Sequence, residues 1–150
     1  MSKVILITGA SSGIGKSAAE FLSAKGFKVY GTGRNPKINE KNGYSLIPLD
    51  VTKPETISLA IDSIIKREGR LDVLVNNAGM GITGPIEDTP TNEMRKVFET
   101  NFFGAIDMMK AVLPQMRKQQ SGTIINVTSI AGYMGLPFRG VYSATKGALD

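Results

Sequence analysis

Hydrophobic residues follow two different periods along this chain. Five short runs are apolar at nearly every position, which is typical of strands buried on both faces of a sheet; they span residues 4–8, 28–32, 45–49, 72–75 and 123–127. Between them, apolar residues recur every three or four positions, as in amphipathic helices. Because strands and helices alternate, the pattern predicts a three-layer α/β fold with a doubly wound parallel sheet.

Local signals place the predicted helices. The first begins after a glycine cluster, ends at Gly26 and presents an apolar face formed by Ile14, Ala18, Phe21 and Leu22. The second begins at Pro54 inside a Thr52–Glu55 capping box, presents Ile57, Ile61, Ile64 and Ile65, and ends before Gly69. A long helix is predicted from about residue 89 to 118, and a last one from 141 to 150.

Composition narrows the possible chemistry. The chain has 150 residues and contains no Cys, His or Trp, so disulfides, thiolate nucleophiles, cysteine-rich zinc sites and imidazole bases are excluded and no metal site is expected. Its size and its 41% hydrophobic content predict a single domain over residues 1–150. The net charge of +5 is scattered and no apolar run is long enough to span a bilayer. We therefore expect a cytoplasmic protein with no nucleic-acid partner and no membrane insertion.

The glycine cluster after the first strand predicts an anion-binding turn at the start of a helix. Two interpretations fit it. In a P-loop, Ala10-Ser-Ser-Gly-Ile-Gly-Lys16-Ser17 would place Lys16 on phosphates and Ser17 on magnesium, with Asp50 as a metal partner, although Ala10 stands where the pattern has glycine. In a dinucleotide-binding turn, Gly9, Gly13 and Gly15 carry the function.

Later polar residues favour the second interpretation, since a P-loop enzyme gives them no task. They are Asn76-Asn77-Ala78-Gly79 after the fourth strand, Ser129 after the fifth, and Tyr142-x-x-x-Lys146 in the last helix. Tyr142 and Lys146 are four residues apart, so they share one face of a helix, where the ammonium favours the phenolate. Asn101 lies on the apolar stripe of the long helix, where its carboxamide needs hydrogen-bond partners.

Together, these motifs resemble the short-chain dehydrogenase/reductases over essentially the whole chain. The resemblance implies a Rossmann-type fold and hydride transfer between a nicotinamide cofactor and a carbonyl/alcohol pair. Tyr142 would be the general acid/base, and Ser129 would donate a hydrogen bond to the substrate oxygen. Tyr142 and Lys146 would also belong to the cofactor site, where Lys146 would hold the nicotinamide ribose. Asn101 would complete a catalytic tetrad by positioning a water that relays protons from the lysine.

The resemblance also implies the cofactor-binding residues. The turn contributes Gly9, Ser11, Ser12, Gly13, Ile14 and Gly15, the adenine site contributes Asp50 and Val51, and the adenosine ribose is lined by Asn77, Ala78 and Gly79. Arg34 follows the second strand where NAD-specific sites usually carry an acidic residue. Its guanidinium suits a 2′-phosphate, so NADP(H) is predicted over NAD(H).

The substrate is predicted to be a lipophilic carbonyl or alcohol. The segment between Ser129 and Tyr142 offers Tyr133, Met134, Leu136 and Phe138 as an apolar lining. With the loop Gly84-Pro85-Ile86, this segment resembles that of hydroxysteroid dehydrogenases and carbonyl reductases. Family members are longer, so we expect a C-terminally incomplete, N-terminal portion of an enzyme that forms a homodimer or homotetramer at full length. A regulatory module that binds NADP(H) without turnover is the alternative, which the complete set of catalytic residues disfavours.

Overall fold

The fold is described by a computed structural model that covers residues 2–36 and 43–150. Its elements are β1 (Val4–Ile7), α1 (Gly13–Ala24), β2 (Lys28–Gly33), β3 (Ser45–Pro48), α2 (Pro54–Glu68), β4 (Val73–Asn76), α3 (Thr91–Phe98), a π-helical turn (Glu99–Phe103), α4 (Gly104–Lys118), β5 (Thr123–Asn126), a 3-10 turn (Ile130–Gly132) and α5 (Gly140–Leu149). The five strands form one sheet in the order β3-β2-β1-β4-β5, and every pairing is parallel. The predicted parallel α/β sheet is confirmed.

Side chains of β1 alternate between two hydrophobic cores, which explains why every residue of this strand is apolar. Leu6 belongs to the core that α2 and α4 cover, whereas Ile5 and Ile7 belong to the core beneath α1. A strand with helices on both faces has no side facing water. This arrangement confirms the doubly wound, three-layer architecture. No helix within residues 2–36 and 43–150 has both the length and the apolarity to cross a membrane.

Two local predictions were wrong. In α1, Ile14 and Phe21 are exposed, and the helix is buried instead through Gly15 and Ala19, with Ala18 and Leu22 partly buried against the core. Small residues face the sheet because the start of α1 lies close against the turn after β1.

The predicted capping box at α2 does not form: the Thr52 hydroxyl donates to Asp50 Oδ1 at 2.8 Å instead, and Lys53 occupies the cap position without a side-chain bond. The expected helix end at Gly69 is confirmed, with φ of +71°.

The long helix predicted over residues 89–118 is continuous but not uniform. The π-helical turn separates α3 from α4 and contains the buried Asn101. Gly104, directly after it, lies so close to Val51 that an added Cβ would be 2.8 Å from Val51 Cγ2 and 3.0 Å from the Val51 carbonyl oxygen. The helix is therefore pressed against the loop that follows β3, at the carboxyl edge of the sheet.

Candidate active site

The loops that follow β1 and β4 are joined at the carboxyl edge of the sheet, where the strand order reverses. The Thr8 hydroxyl accepts hydrogen bonds from the backbone N–H groups of Asn77 at 3.0 Å and Ala78 at 2.9 Å. In return, Asn77 Nδ2 donates to the carbonyls of Thr8 at 2.9 Å and Gly9 at 3.2 Å. In open α/β sheets, ligands bind outside the carboxyl ends of strands at such a switch point.

The close approach of these loops requires glycine in the turn. Gly9 has a φ of +67°, and a Cβ there would lie 2.9 Å from Ala78 Cα. A Cβ on Gly15 would lie 2.4 Å from Asn77 Nδ2 and 2.5 Å from the Gly9 carbonyl oxygen. Gly15 is accordingly buried, which keeps the first turn of α1 seated against the β4 loop.

The predicted phosphate-binding residues lie on the open side of this turn. Ser11, Ser12, Gly13 and Ile14 are all exposed, and Gly13 has a φ of +56° with open space around it. They precede or begin α1, whose first N–H groups carry the positive end of the helix dipole. The cradle therefore fits a phosphate-bearing ligand: glycine allows backbone approach, and hydroxyl and N–H donors surround the space.

The rim of the turn is formed by residues after β2 and β3. The Ala10 N–H donates to the Thr32 carbonyl at 2.7 Å, which fixes the turn beside the end of β2, and Arg34 is exposed just beyond it. Burial acts to raise the pKa of Asp50, but hydrogen bonds from Thr52 and the positive charges of Lys53 and Arg34 outweigh it and hold that pKa below its usual value. Asp50 is therefore an ionised acceptor near the guanidinium of Arg34.

The P-loop interpretation is not favoured by this geometry. Lys16 lies on α1, and its Nζ is 3.8 Å from Glu20 Oε1 one turn along the same helix. Ala10, which replaces the first glycine of the P-loop pattern, is buried, and its Cβ lies where a side chain on Gly31 would collide with it. The side chain at position 10 is thus part of the core.

The last helix carries Tyr142 and Lys146 on one side. Tyr142 is half-buried, and the Arg139 guanidinium lies 5.8 Å from its ring centroid. Lys146 is only 5% exposed, and its Nζ donates to the Val127 carbonyl at 2.7 Å. Burial lowers the pKa of this ammonium, because a charged group loses hydration inside the protein. The lysine thus ties α5 to the segment that leaves β5.

Ser129 is two residues beyond that anchor. Its backbone is extended, and its Oγ accepts from the Ala131 N–H at 3.2 Å, so the side chain caps the 3-10 turn. This 3-10 turn contacts α5, since a Cβ on Gly132 would lie 3.2 Å from the Gly147 nitrogen and from the Lys146 carbonyl carbon. The segment bearing Ser129 is therefore fixed against the helix that bears Tyr142 and Lys146.

Asn101 reaches the same region from the π-helical turn. Its Oδ1 accepts from the Met80 N–H at 2.8 Å, while Nδ2 donates to the Met80 carbonyl at 2.9 Å and to Thr145 Oγ1 at 3.1 Å. A Cβ on Gly79 would lie 3.3 Å from Asn101 Oδ1 and 3.7 Å from Lys146 Nζ. The structure thus brings Asn101, Lys146 and the predicted ribose-lining loop together.

Three residues of this site were not among those singled out from the sequence: Thr8, Met80 and Thr145. Thr145 had a detectable signal, because it lies midway between Val141 and Leu149 on the buried stripe of α5, where a hydroxyl needs partners. Thr8 likewise ends an apolar strand and is buried. Met80 acts through its backbone, which its residue type does not reveal.

A cavity of about 370 Å³ lies beside the start of α5. Its lining is mainly apolar and consists of Ile82, Gly84, Pro85, Ile86, Glu87, Thr89, Leu136, Phe138, Gly140 and Val141. The Gly84 N–H donates to the Phe138 carbonyl at 3.0 Å, so the two predicted substrate loops are joined. Leu136 and Phe138 are among its lining residues, whereas Tyr133 and Met134 are not. All four side chains are exposed.

Comparisons with known proteins agree with this arrangement. The sequence profile of the family described as short chain dehydrogenase matches residues 3–150. A 3-ketodihydrosphingosine reductase from Bacteroides thetaiotaomicron is 50% identical over 148 residues, which are 99% of this chain and 55% of that protein. The mouse dehydrogenase/reductase SDR family member 7B is 38% identical, over 97% of this chain and 49% of its own.

Solved structures show the same similarity. A short-chain dehydrogenase from Streptomyces avermitilis superimposes with a TM-score of 0.93 at 41% identity, covering 99% of this chain and 57% of that one. The protein ElxO, solved with NADP bound, gives 0.92 at 37% identity, covering 99% of this chain and 64% of its own. The chain spans about half the length of the curated relatives it matches. With this match over nearly its whole length, the chain belongs to the short-chain dehydrogenase/reductase family.

Proposed function

We propose that this chain carries the cofactor site and the catalytic residues of an oxidoreductase that interconverts a carbonyl and an alcohol with NADP(H). The observation that carries the proposal is the placement of Tyr142 and Lys146 on one side of α5, with Lys146 Nζ bonded to the Val127 carbonyl two residues before Ser129. The helix that carries the phenol and the ammonium is thereby held next to the segment that carries the hydroxyl, at the carboxyl edge of the sheet, where open α/β sheets bind ligands.

Each of these side chains has a role that its chemistry supports. When bound, the nicotinamide cofactor supplies or accepts the hydride. Tyr142 donates a proton to the carbonyl oxygen in reduction, and Lys146 lies one helical turn away on the same side of α5. Ser129 Oγ accepts from the Ala131 N–H and keeps its own hydrogen, which can be donated to the substrate oxygen.

Asn101 is proposed to act mainly as a clamp. Both hydrogens of its Nδ2 are used, one by the Met80 carbonyl and one by Thr145 Oγ1. A water that relays protons would therefore bind another atom of this residue. The observed bonds support the interpretation in which the buried carboxamide is satisfied by neighbouring protein groups.

For the cofactor, we propose that the exposed residues 11–14 hold the pyrophosphate, while Asp50, Val51 and residues 77–79 line the adenosine. Arg34 would meet the 2′-phosphate of NADP(H), since the same position carries no carboxylate to accept from a free ribose hydroxyl. The similarity to ElxO, whose structure contains NADP, supports this choice.

For the substrate, we propose a lipophilic ketone. Its support is the mainly apolar cavity beside Val141, the residue that precedes Tyr142, because such a lining gains free energy by covering an apolar ligand. The 50% identity to a 3-ketodihydrosphingosine reductase makes a long-chain ketone of that kind the first compound to test.

The experiment is a spectrophotometric assay of NADPH consumption by the protein containing this chain, with a panel of ketones that differ in chain length. We expect turnover with lipophilic ketones, and we expect Tyr142→Phe to lower kcat by roughly 10²- to 10⁴-fold, the usual contribution of a general acid. Tyr133→Phe is the matched control, because this phenol is exposed and lies outside the cavity lining.

Two outcomes would contradict the proposal. If no ketone is reduced although NADPH binds, the protein is a cofactor-binding module without turnover. If turnover survives in Tyr142→Phe at the level of Tyr133→Phe, the proton comes from a different group.

A further inference from the structure

We propose that Thr145 is a positioning residue that holds Tyr142 and Lys146 in their working orientation by joining α5 to the Asn101 clamp. This inference rests on the proposed function. Thr145 has 0% of its surface exposed. Its Oγ1 donates to the Tyr142 carbonyl at 2.7 Å and accepts from Asn101 Nδ2 at 3.1 Å. One hydroxyl therefore links the backbone of the proposed acid to the π-helical turn.

The bond to Asn101 distinguishes this threonine from an ordinary helical one. Threonine hydroxyls in helices often donate to the carbonyl three or four residues earlier, so the bond to Tyr142 alone would be unremarkable as a local feature. The Asn101 amide arrives from a segment 44 residues away in sequence. Its other two bonds grip the N–H and carbonyl of Met80, so the amide cannot turn without releasing that loop.

The clamp constrains the rotation of α5. Lys146 ties the helix to the Val127 carbonyl after β5, and Thr145, the preceding residue, ties it to Asn101 and through it to Met80 after β4. Successive helical residues point about 100° apart, so these two anchors pull in different directions. Together they fix the helix about its own axis, and with it the direction of the Tyr142 side chain.

Removing the hydroxyl leaves one buried hydrogen of Asn101 Nδ2 without its acceptor. A buried donor without a partner is costly, so either Asn101 rotates away from Met80 or α5 shifts to offer another acceptor. Both responses move Tyr142 relative to the β4 loop. A displacement of about 1 Å at a reacting group is enough to lower a rate by roughly 100-fold.

The test compares Thr145→Val, which keeps the shape and loses the hydroxyl, with Thr145→Ser, which keeps the hydroxyl. In the protein containing this chain, we expect Thr145→Val to lower kcat by roughly 10- to 100-fold while the Kd for NADPH, measured by fluorescence, changes less than about threefold. Thr145→Ser should keep kcat within about threefold of the parent protein.

Gln119→Leu is the matched control for lost side-chain hydrogen bonds elsewhere. The Gln119 amide donates to the carbonyls of Leu71 and Ser121 at the opposite edge of the sheet, so its loss should lower the unfolding temperature and leave kcat unchanged. If Thr145→Val does not fold, Thr145→Cys has a similar volume and a much weaker acceptor. It should still lower kcat several-fold relative to Thr145→Ser.

Hydrogen exchange of the Met80 amide separates this inference from the proposed function, because it needs no turnover. The Met80 amide should exchange about tenfold faster in Thr145→Val than in the parent protein, and at the parent rate in Gln119→Leu. Faster exchange supports the clamp even if no ketone is reduced, a result that would overturn only the proposed reaction. Three results would overturn the positioning role. They are unchanged exchange of the Met80 amide in Thr145→Val, a kcat of Thr145→Val within about threefold of the parent protein, and an equal loss of kcat in Thr145→Ser and Thr145→Val.

Discussion

The residues of this site are held in place by hydrogen bonds between single polar side chains and backbone groups. Thr8 receives two N–H groups from the β4 loop, Asn77 returns two bonds to the glycine turn, and Lys146 holds the Val127 carbonyl. Each bond is buried or partly buried, where losing one partner leaves the other unsatisfied at a cost of about 1–3 kcal/mol. Asn77 and Lys146, which the sequence singled out for chemistry, thus also hold the backbone of the site in place.

A single substitution at Arg34 tests the predicted preference for NADP(H) over NAD(H). We expect Arg34→Ala to weaken NADPH binding by roughly 10- to 100-fold, because a charge-assisted hydrogen bond contributes about 1.5–3 kcal/mol. NADH lacks the 2′-phosphate, so its Kd should stay within about twofold. Fluorescence titration with both cofactors measures the effect.

Arg117→Ala serves as the control for Arg34→Ala. This arginine is exposed in the last turn of α4, so its removal changes the net charge equally without touching the proposed phosphate site. Equal losses for NADPH and NADH in Arg34→Ala would refute a phosphate-specific role.

The elements were predictable from hydrophobic periodicity wherever one regular pattern continued. The strands and the ends of α2 agree with the sequence, because near-continuous apolar runs and a helix-ending glycine are local signals. The π-helical turn was not predicted, since one additional residue per turn hardly disturbs an apolar stripe. It matters because it contains Asn101, whose bonds to Met80 and Thr145 connect three elements.

A pair of elements away from the site gives a pH-dependent prediction. Burial of the β2 residue Tyr30 and its hydrogen bond to Glu68 of α2 raise the pKa of Tyr30 from 10.0 to about 12. The phenol ionises more easily in the unfolded chain, so its contribution to the free energy of unfolding is complete below pH 10.0 and is lost as pH rises towards about 12. The difference in unfolding free energy between the parent protein and Tyr30→Phe should therefore narrow over this interval.

Denaturant unfolding at a series of pH values measures that difference. Glu68→Gln keeps a hydrogen-bond acceptor and removes the charge, so the same comparison in a Glu68→Gln background should show a shallower decline. A difference that stays constant from about pH 10 to pH 12 would show that the Tyr30 phenol titrates alike in both states.

At the scale of the whole molecule, the described residues 2–36 and 43–150 form two cores on opposite faces of one sheet. Leu74 of β4 is 0% exposed and belongs to the larger core, with side chains from α2 and α4. Leu59 lies on the outer face of α2 and is 71% exposed. The same residue type therefore occupies opposite environments within one fold.

These two leucines predict how stability is distributed. Leu74→Ala should lower the free energy of unfolding by about 2–5 kcal/mol, through lost burial and a cavity that the sheet cannot close. Leu59→Ala should change it by less than about 0.5 kcal/mol. Denaturant unfolding measures the free energy of unfolding of both variants, with one denaturant dependence (m-value) fitted to all curves. Similar losses of this free energy in the two variants would contradict the assignment of the core to the α2–α4 face.

The sequence by itself determined the order of strands and helices, the parallel sheet and the glycine turn, because periodicity and backbone preference act between near neighbours. It also identified Tyr142 and Lys146 as a pair, since residues four positions apart on a helix share a face. Only the tertiary structure decided which groups meet across the chain. Thr8 joins Asn77 across 69 residues and Asn101 joins Thr145 across 44, and such bonds exist only once the packing of both cores brings distant loops to one edge of the sheet.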